Sequence, residues 1–168
     1  WYGFEPYGLQ PDGVAIGKGL GNGYPVSAVA MTDEVASRLE KEAFHYAQSH
    51  QNDPLGCAVA KEVIAVIREE QLVERSARVG HRFLERLRRL GERHAVVEDV
   101  RGRGLMVAVE LTEKVVGESV YRGLLTSGFL AGWKPEAKVL RFYPPLTVAE
   151  ADLSRLVDAV DRTLKQAM

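Results

Sequence analysis

Residues 53 to 93 carry the pattern that most restricts what this chain can become. Asp53-Pro54 opens it with a carboxylate suited to an N-cap and a proline in the first turn, where a missing N–H costs nothing. Apolar residues then recur at Val59, Val63, Val66 and Ile67, and after Leu72 at Val79, Phe83, Leu87 and Leu90. The spacing predicts one long helix to about Arg93, or two helices with a break near Glu70-Gln71. A helix with one apolar stripe has to bury it against another layer, so the flanking segments decide the fold.

Upstream, residues 13–16 (GVAI) and 26–31 (VSAVAM) read as short buried strands around the loop GKGLGNGYP. Thr32 is placed to cap a helix through about Phe44, with Asp33 and Glu34 in its first turn. Residues 45–52 (HYAQSHQN) form a polar loop. Downstream, VVEDV, RGRG and LMVAVEL alternate strand and glycine signals over residues 96–111, and a helix follows from Lys114 to Thr126. Short strands are expected at 128–131 and 138–142. After PPLT, Thr147 and Glu150 have the spacing of a capping box for a last helix with Leu153, Leu156, Val157, Val160 and Leu164 on one face. This order describes an α/β chain with a junction: residues 1–70 as the tail of a larger α/β layer, and residues 71–168 as a small α+β unit entered through the long helix.

Bulk properties narrow the function. The 168 residues are 46% hydrophobic and 27% charged, enough for a sizeable core. A formal net charge of -1 gives no electrostatic reason to expect nucleic acid or a membrane surface as partner. The lone Cys57 excludes an internal disulfide, and no apolar run is long enough for a bilayer, so the cytoplasm is the expected address. His45, His50, His81 and His94 lack metal-ligand spacing, and with Cys57 in mid-helix no metal site is expected. The arginines of RSARVGHRFLERLRRLGERH read as a solvated helix face. The opening WYGFEPYGLQPDG, without an initiator methionine or an element pattern, reads as an internal segment whose preceding part is missing, whereas VDRTLKQAM reads as a natural end.

The chemistry concentrates on Lys18, set between glycines after a short apolar run. Neither nucleotide motif fits: Gly19 stands where a phosphate loop needs Ser or Thr, and Gly17, Gly19, Gly21 and Gly23 alternate by two. A lysine at a strand end among residues without side chains suits an amine that condenses with an aldehyde. Burial disfavours an ammonium and frees the nucleophile, and glycines admit a flat ligand. Lys18 is thus expected uncharged in a dry pocket, against the alternative of an exposed lysine in a turn. Arg141, between a strand end and Pro144-Pro145, has the planar fork to grip a carboxylate, or lies on an edge strand as a surface arginine. Ser49, just before a helix start, is a possible anion donor or a turn serine.

PDGVAIGKGLGNGYPVSAV resembles the segment around the cofactor lysine of class III aminotransferases, fold-type I enzymes dependent on pyridoxal phosphate. The likeness continues through SHQNDPLGCAVA, VRGRGLMVAVEL and VLRFYPPLTV to the end of the chain. It implies the C-terminal portion of such an enzyme: the end of the large cofactor-binding α/β domain (1–70), a long linking helix, and the small domain (within 71–168). Lys18 matches the cofactor lysine. Ser49 matches a usual threonine that donates to the cofactor phosphate of the partner subunit, although Gln48, His50, Gln51 and Asn52 depart from the family's phenylalanine and glycines. Arg141 matches the arginine that binds the substrate carboxylate, while Arg101 and Arg103 are read as structural or rim residues. The implied activity moves an amino group from an amino acid or ω-amine to a 2-oxo acid in a homodimer with shared active sites. The family's upstream contacts (a glycine-serine phosphate turn, a stacked aromatic, an aspartate on the pyridine nitrogen) have no counterpart in these residues, so the piece alone is expected to be inactive. An aminomutase or decarboxylase of the same fold, and a non-catalytic remnant or dimerisation module, are the alternatives.

Overall fold

The computed structural model describes residues 1–167. In chain order it contains β1 (Gly13–Ile16), β2 (Ala28–Met31), α1 (Asp33–Lys41), α2 (Pro54–Glu69), α3 (Leu72–Gly91), β3 (Val97–Arg103), β4 (Met106–Leu111), α4 (Lys114–Thr126), β5 (Gly132–Lys134), β6 (Val139–Phe142) and α5 (Glu150–Ala167). The fold is mixed α and β. The chain divides into two compact units, Trp1–Gln71 and Leu72–Met168. The break between α2 and α3 falls at Gln71, whose φ of 50° lies in the left-handed region that no helix continues through.

In the first unit β1 and β2 pair antiparallel, with Gly13 opposite Met31 and Ile16 opposite Ala28. Thr32 caps α1 by accepting from the Val35 N–H at 3.4 Å. Asp53 caps α2 by accepting from the Leu55 N–H at 2.9 Å, which holds its carboxyl below the usual carboxylate range, with His50 adding to the effect. Only Gly21 and Gly56 are buried in this unit, and every residue of β2 is exposed. The first of the short buried strands expected at 13–16 and 26–31 keeps its bounds but is only half-buried, at Val14 and Ile16, and the second is shorter and exposed.

The second unit holds the hydrophobic core. Its sheet has the order β3-β4-β6-β5, antiparallel throughout. On the inner face Val107 lies opposite Phe142 and Val109 opposite Leu140. Against them pack Val79, Phe83, Leu87 and Leu90 of α3, Val116, Val120 and Leu124 of α4, and Leu153, Leu156, Val157, Val160 and Leu164 of α5. Phe83 meets Phe142 edge to face, with ring centroids 6.1 Å apart. Each fully buried leucine or phenylalanine contributes about 1.5–3 kcal/mol of transfer free energy. The outer face carries the intervening residues, among them Ala108 opposite Arg141.

Two expectations are corrected. The strand expected at 128–131 begins later, at Gly132. Gly128 (φ 84°) and Phe129 are occupied in closing α4, the Phe129 N–H donating to the Leu124 carbonyl at 2.9 Å. Pairing starts where Gly132 meets Arg141. The capping box is not formed: Glu150 instead accepts from Arg82 at 2.6 and 3.0 Å, a bidentate pair from α3 that removes its carboxylate from the backbone. The arginines read as a solvated face are mostly exposed, Arg78, Arg82, Arg88, Arg89 and Arg93 among them, and several also make bonds toward the last helix and the segment before it. Arg75 donates to the carbonyls of Leu146 and Val148, Arg86 to Ser154, and Arg93 to Asp161.

At the far end of α3 the buried His94 places Nε2 2.8 Å from Asp161 Oδ1, and Lys165 donates to Oδ2 at 2.7 Å. His94 first, then Lys165, pull the Asp161 carboxyl from its ordinary 3.8 down to about 2. A carboxyl whose folded value is depressed adds stability above its unfolded value and loses it as pH falls through the folded one. Asp161→Asn should therefore lower the urea midpoint at pH 5, and its difference from wild type should close between about pH 4 and pH 2. A gap that persists at pH 2 would mean that packing, not charge, holds this corner.

Candidate functional site

Lys18 sits two residues beyond the end of β1, at the start of a 3-10 turn, Lys18–Leu20. Successive backbone bonds wind the loop: Leu20 N–H to Gly17 at 3.2 Å, Gly21 to Lys18 at 3.1 Å, and Tyr24 to Gly21 at 2.9 Å. Gly21 is where the loop closes on itself. A Cβ there would lie 2.0 Å from the Tyr24 carbonyl oxygen and 2.7 Å from Val26, so no larger residue fits. Lys18 and Asn22 hold φ values of 50° and 45°, an arrangement that costs each about 1 kcal/mol or more and that the surrounding turns impose.

Lys18 lines an open hollow of about 520 Å³ with Gly19, Asn22, Gly23, Tyr24, Pro25 and Val26. Its side chain is exposed, which corrects the expected dry pocket. The cause lies in the same glycines: Gly17 and Gly19 contribute no side chains, so the loop builds one wall and leaves the amine open. A Cβ on Gly19 would meet nothing within 4 Å. A flat aldehyde thus has an unobstructed approach to a primary amine held at the lip of a hollow. Asn22 and Tyr24 were not singled out from the sequence. Their presence in the same seven-residue run as Lys18 is the only signal that could have found them.

Ser49 is exposed in the turn before α2, in the same unit as Lys18. The α2 N-terminus is already taken by the Asp53 carboxylate, so an anion near Ser49 would meet its hydroxyl rather than the free end of the helix. Cys57 lies in the first turn of α2, exposed, and not in mid-helix as expected. Among the described residues no group of three or more His, Cys, Asp or Glu could hold a metal ion, and no helix is long and apolar enough to cross a membrane.

Arg141 belongs to the second unit, in β6, exposed on the outer face of the sheet. Its guanidinium carbon lies 5.7 Å from the centroid of the Tyr143 ring. Arg101, on the same face, donates to Asp99 at 2.7 Å and Glu110 at 2.6 Å. The two arginines therefore differ in kind: one is neutralised within the fold, and the other is not. The first unit thus presents a primary amine at Lys18 and a hydroxyl at Ser49, and in the second unit, among the described residues, Arg141 has no carboxylate partner.

The family model described as aminotransferase class-III matches residues 1–164. A taurine–pyruvate aminotransferase of Rhodobacter capsulatus is 32% identical over 99% of this chain and 41% of its own length. An acetylornithine aminotransferase of Methanocaldococcus jannaschii is 32% identical over 98% of this chain and 40% of its own. The chain thus spans about two-fifths of the length of these relatives. Among solved structures, a transaminase from the marine bacterium Virgibacillus superposes with a TM-score of 0.92 at 27% identity, covering 99% of this chain and 41% of that one. An (S)-enantioselective omega-transaminase from Thermomicrobium roseum gives 0.87 at 30% identity, over 99% of this chain and 40% of that one. The lysine loop, the core of the second unit and the arginine strand all fall within the matched region, and the chain belongs to the class-III aminotransferase family.

Proposed function

We propose that the protein carrying this chain is a pyridoxal-phosphate-dependent transaminase that moves an amino group from an amino acid or ω-amine to a 2-oxo acid. The observation that carries the reading is Lys18, an amine at the lip of a glycine-walled hollow within the span matched by the family. Residues 1–70 would belong to the large cofactor-binding domain and 71–168 to the small one. The working form would be a cytoplasmic homodimer with shared active sites.

When bound, pyridoxal phosphate supplies the aldehyde carbon and an electron-withdrawing ring. Lys18 would hold the cofactor through its amine and, when freed, would take and return the proton at the substrate carbon. Ser49 would donate its hydroxyl to the cofactor phosphate of the partner subunit. Arg141 would grip the substrate carboxylate through two parallel N–H donors. The glycines beside Lys18 keep the approach to the amine clear.

The test is conversion of pyruvate or 2-oxoglutarate to alanine or glutamate in the presence of an amine donor, with carbon dioxide release followed in parallel. Transfer of nitrogen without carbon dioxide supports the reading, and carbon dioxide without transfer overturns it in favour of a decarboxylase. In the same assay Arg141→Ala should raise KM for the 2-oxo acid about 10- to 100-fold, the cost of losing hydrogen bonds to a charged group.

A further inference from the structure

We infer that Tyr143 is a positioning residue, holding the Arg141 guanidinium ready for a substrate carboxylate; this deepens the transaminase reading and rests on it. One row across the outer face of the sheet carries the argument. Arg101 lies opposite Ala108, Ala108 opposite Arg141, and Arg141 opposite Gly132. Both cross-strand neighbours of Arg141 are small, so nothing on the adjoining strands competes for its place. A Cβ on Gly132 would fall 2.8 Å from the Tyr143 hydroxyl oxygen and 3.5 Å from Arg141 Nε. Glycine at that position is what lets phenol and guanidinium lie together over the strand.

Arg101, one pair along the row, spends its donors on Asp99 and Glu110. Among the described residues Arg141 meets no carboxylate, and what it has instead is the Tyr143 ring, 5.7 Å away. The difference matters chemically. A carboxylate partner would consume the N–H donors that a substrate needs, whereas a ring face attracts the cation and leaves those donors at its edge. A long arginine without such a contact loses rotamer freedom when it binds, and that loss weakens binding. The ring itself is held from below: Tyr143 precedes Pro144-Pro145, which confines its backbone to extended conformations.

The experiment measures steady-state kinetics of the cofactor-loaded protein, with nuclear magnetic resonance of the Arg141 side chain as a second readout. Tyr143→Leu should raise KM for the 2-oxo acid about two- to fivefold with a smaller change in kcat, in keeping with the strength of one cation–ring contact at an exposed site. Tyr143→Phe keeps the ring and should restore the wild-type KM. Gly132→Ala, which displaces the phenol without removing it, should reproduce the leucine variant. Ring-current shifts on the Arg141 δ protons should be present in wild type and Tyr143→Phe and absent in Tyr143→Leu. If Tyr143→Leu leaves KM unmoved while Arg141→Ala raises it, the role of Tyr143 falls and that of Arg141 stands. If Arg141→Ala also leaves KM unmoved, the carboxylate reading falls and takes this inference with it.

Discussion

Replacement of Lys18 by arginine is expected to lower kcat for amino transfer by about a thousandfold or more, the scale set by removing a nucleophile and proton carrier together. Arginine preserves length and positive charge, but its guanidinium stays protonated and cannot attack a carbonyl carbon. Because Lys18 is exposed and bonds to the loop only through its backbone, the substitution removes chemistry without removing structure. A measurement independent of turnover checks the assignment. Incubation with pyridoxal phosphate, reduction with borohydride and peptide mass analysis should place a stable cofactor label on the peptide containing Lys18. Lys18→Arg should abolish that label, whereas Lys61→Arg, on the exposed surface of α2, should leave it intact. Equal labelling of wild type and Lys18→Arg would sink the assignment.

The largest effect on stability is expected from Gly80→Ala. At Gly80, α3 meets the turn between β3 and β4 backbone to backbone. A Cβ there would lie 2.0 Å from the Gly104 carbonyl oxygen and 2.1 Å from its carbon. These atoms are not the end of a flexible side chain, so either the helix or the hairpin has to move. The hairpin is tied at the same place by the Leu105 N–H donating to Ser76 Oγ at 3.3 Å, and it carries Leu105 and Val107 into the core. Overpacking of this sort costs about 3 kcal/mol, well above the roughly 1 kcal/mol that alanine gains over glycine inside a helix. Against a typical total of about 5–15 kcal/mol, the urea midpoint should fall by about 1 M or more. Gly56→Ala is the contrast: its Cβ would meet nothing nearer than 3.5 Å, so it should be neutral or slightly stabilising. A loss below about 1 kcal/mol at Gly80 would show that helix and hairpin can part without penalty.

What the sequence revealed depended on whether a signal was local. The stripes Val79, Phe83, Leu87, Leu90 and Leu153, Leu156, Val157, Val160, Leu164 are all buried, because helical periodicity records a buried face directly. α4 occupies Lys114–Thr126 as read, since nothing in that stretch competes with helix. The late start of β5 was not legible, because it depends on where Arg141 lies in the neighbouring strand. The role of Glu150 was not legible either, because Arg82, sixty-eight residues away in the chain, decides it. At the candidate site the residue types were readable and their surroundings were not. Lys18 stood out through its glycines, but those glycines leave it exposed. Arg141 stood out beside two prolines, yet only the sheet register distinguishes it from Arg101.

The first unit buries two glycines and little else, and its lysine loop is held by turn-length hydrogen bonds. These residues match about two-fifths of the length of their relatives, so in the whole protein the remaining residues would supply the packing that fixes the loop. A loop ordered by that packing before any ligand arrives spends less of the ligand's attraction on ordering, and its amine binds more tightly for the same contacts.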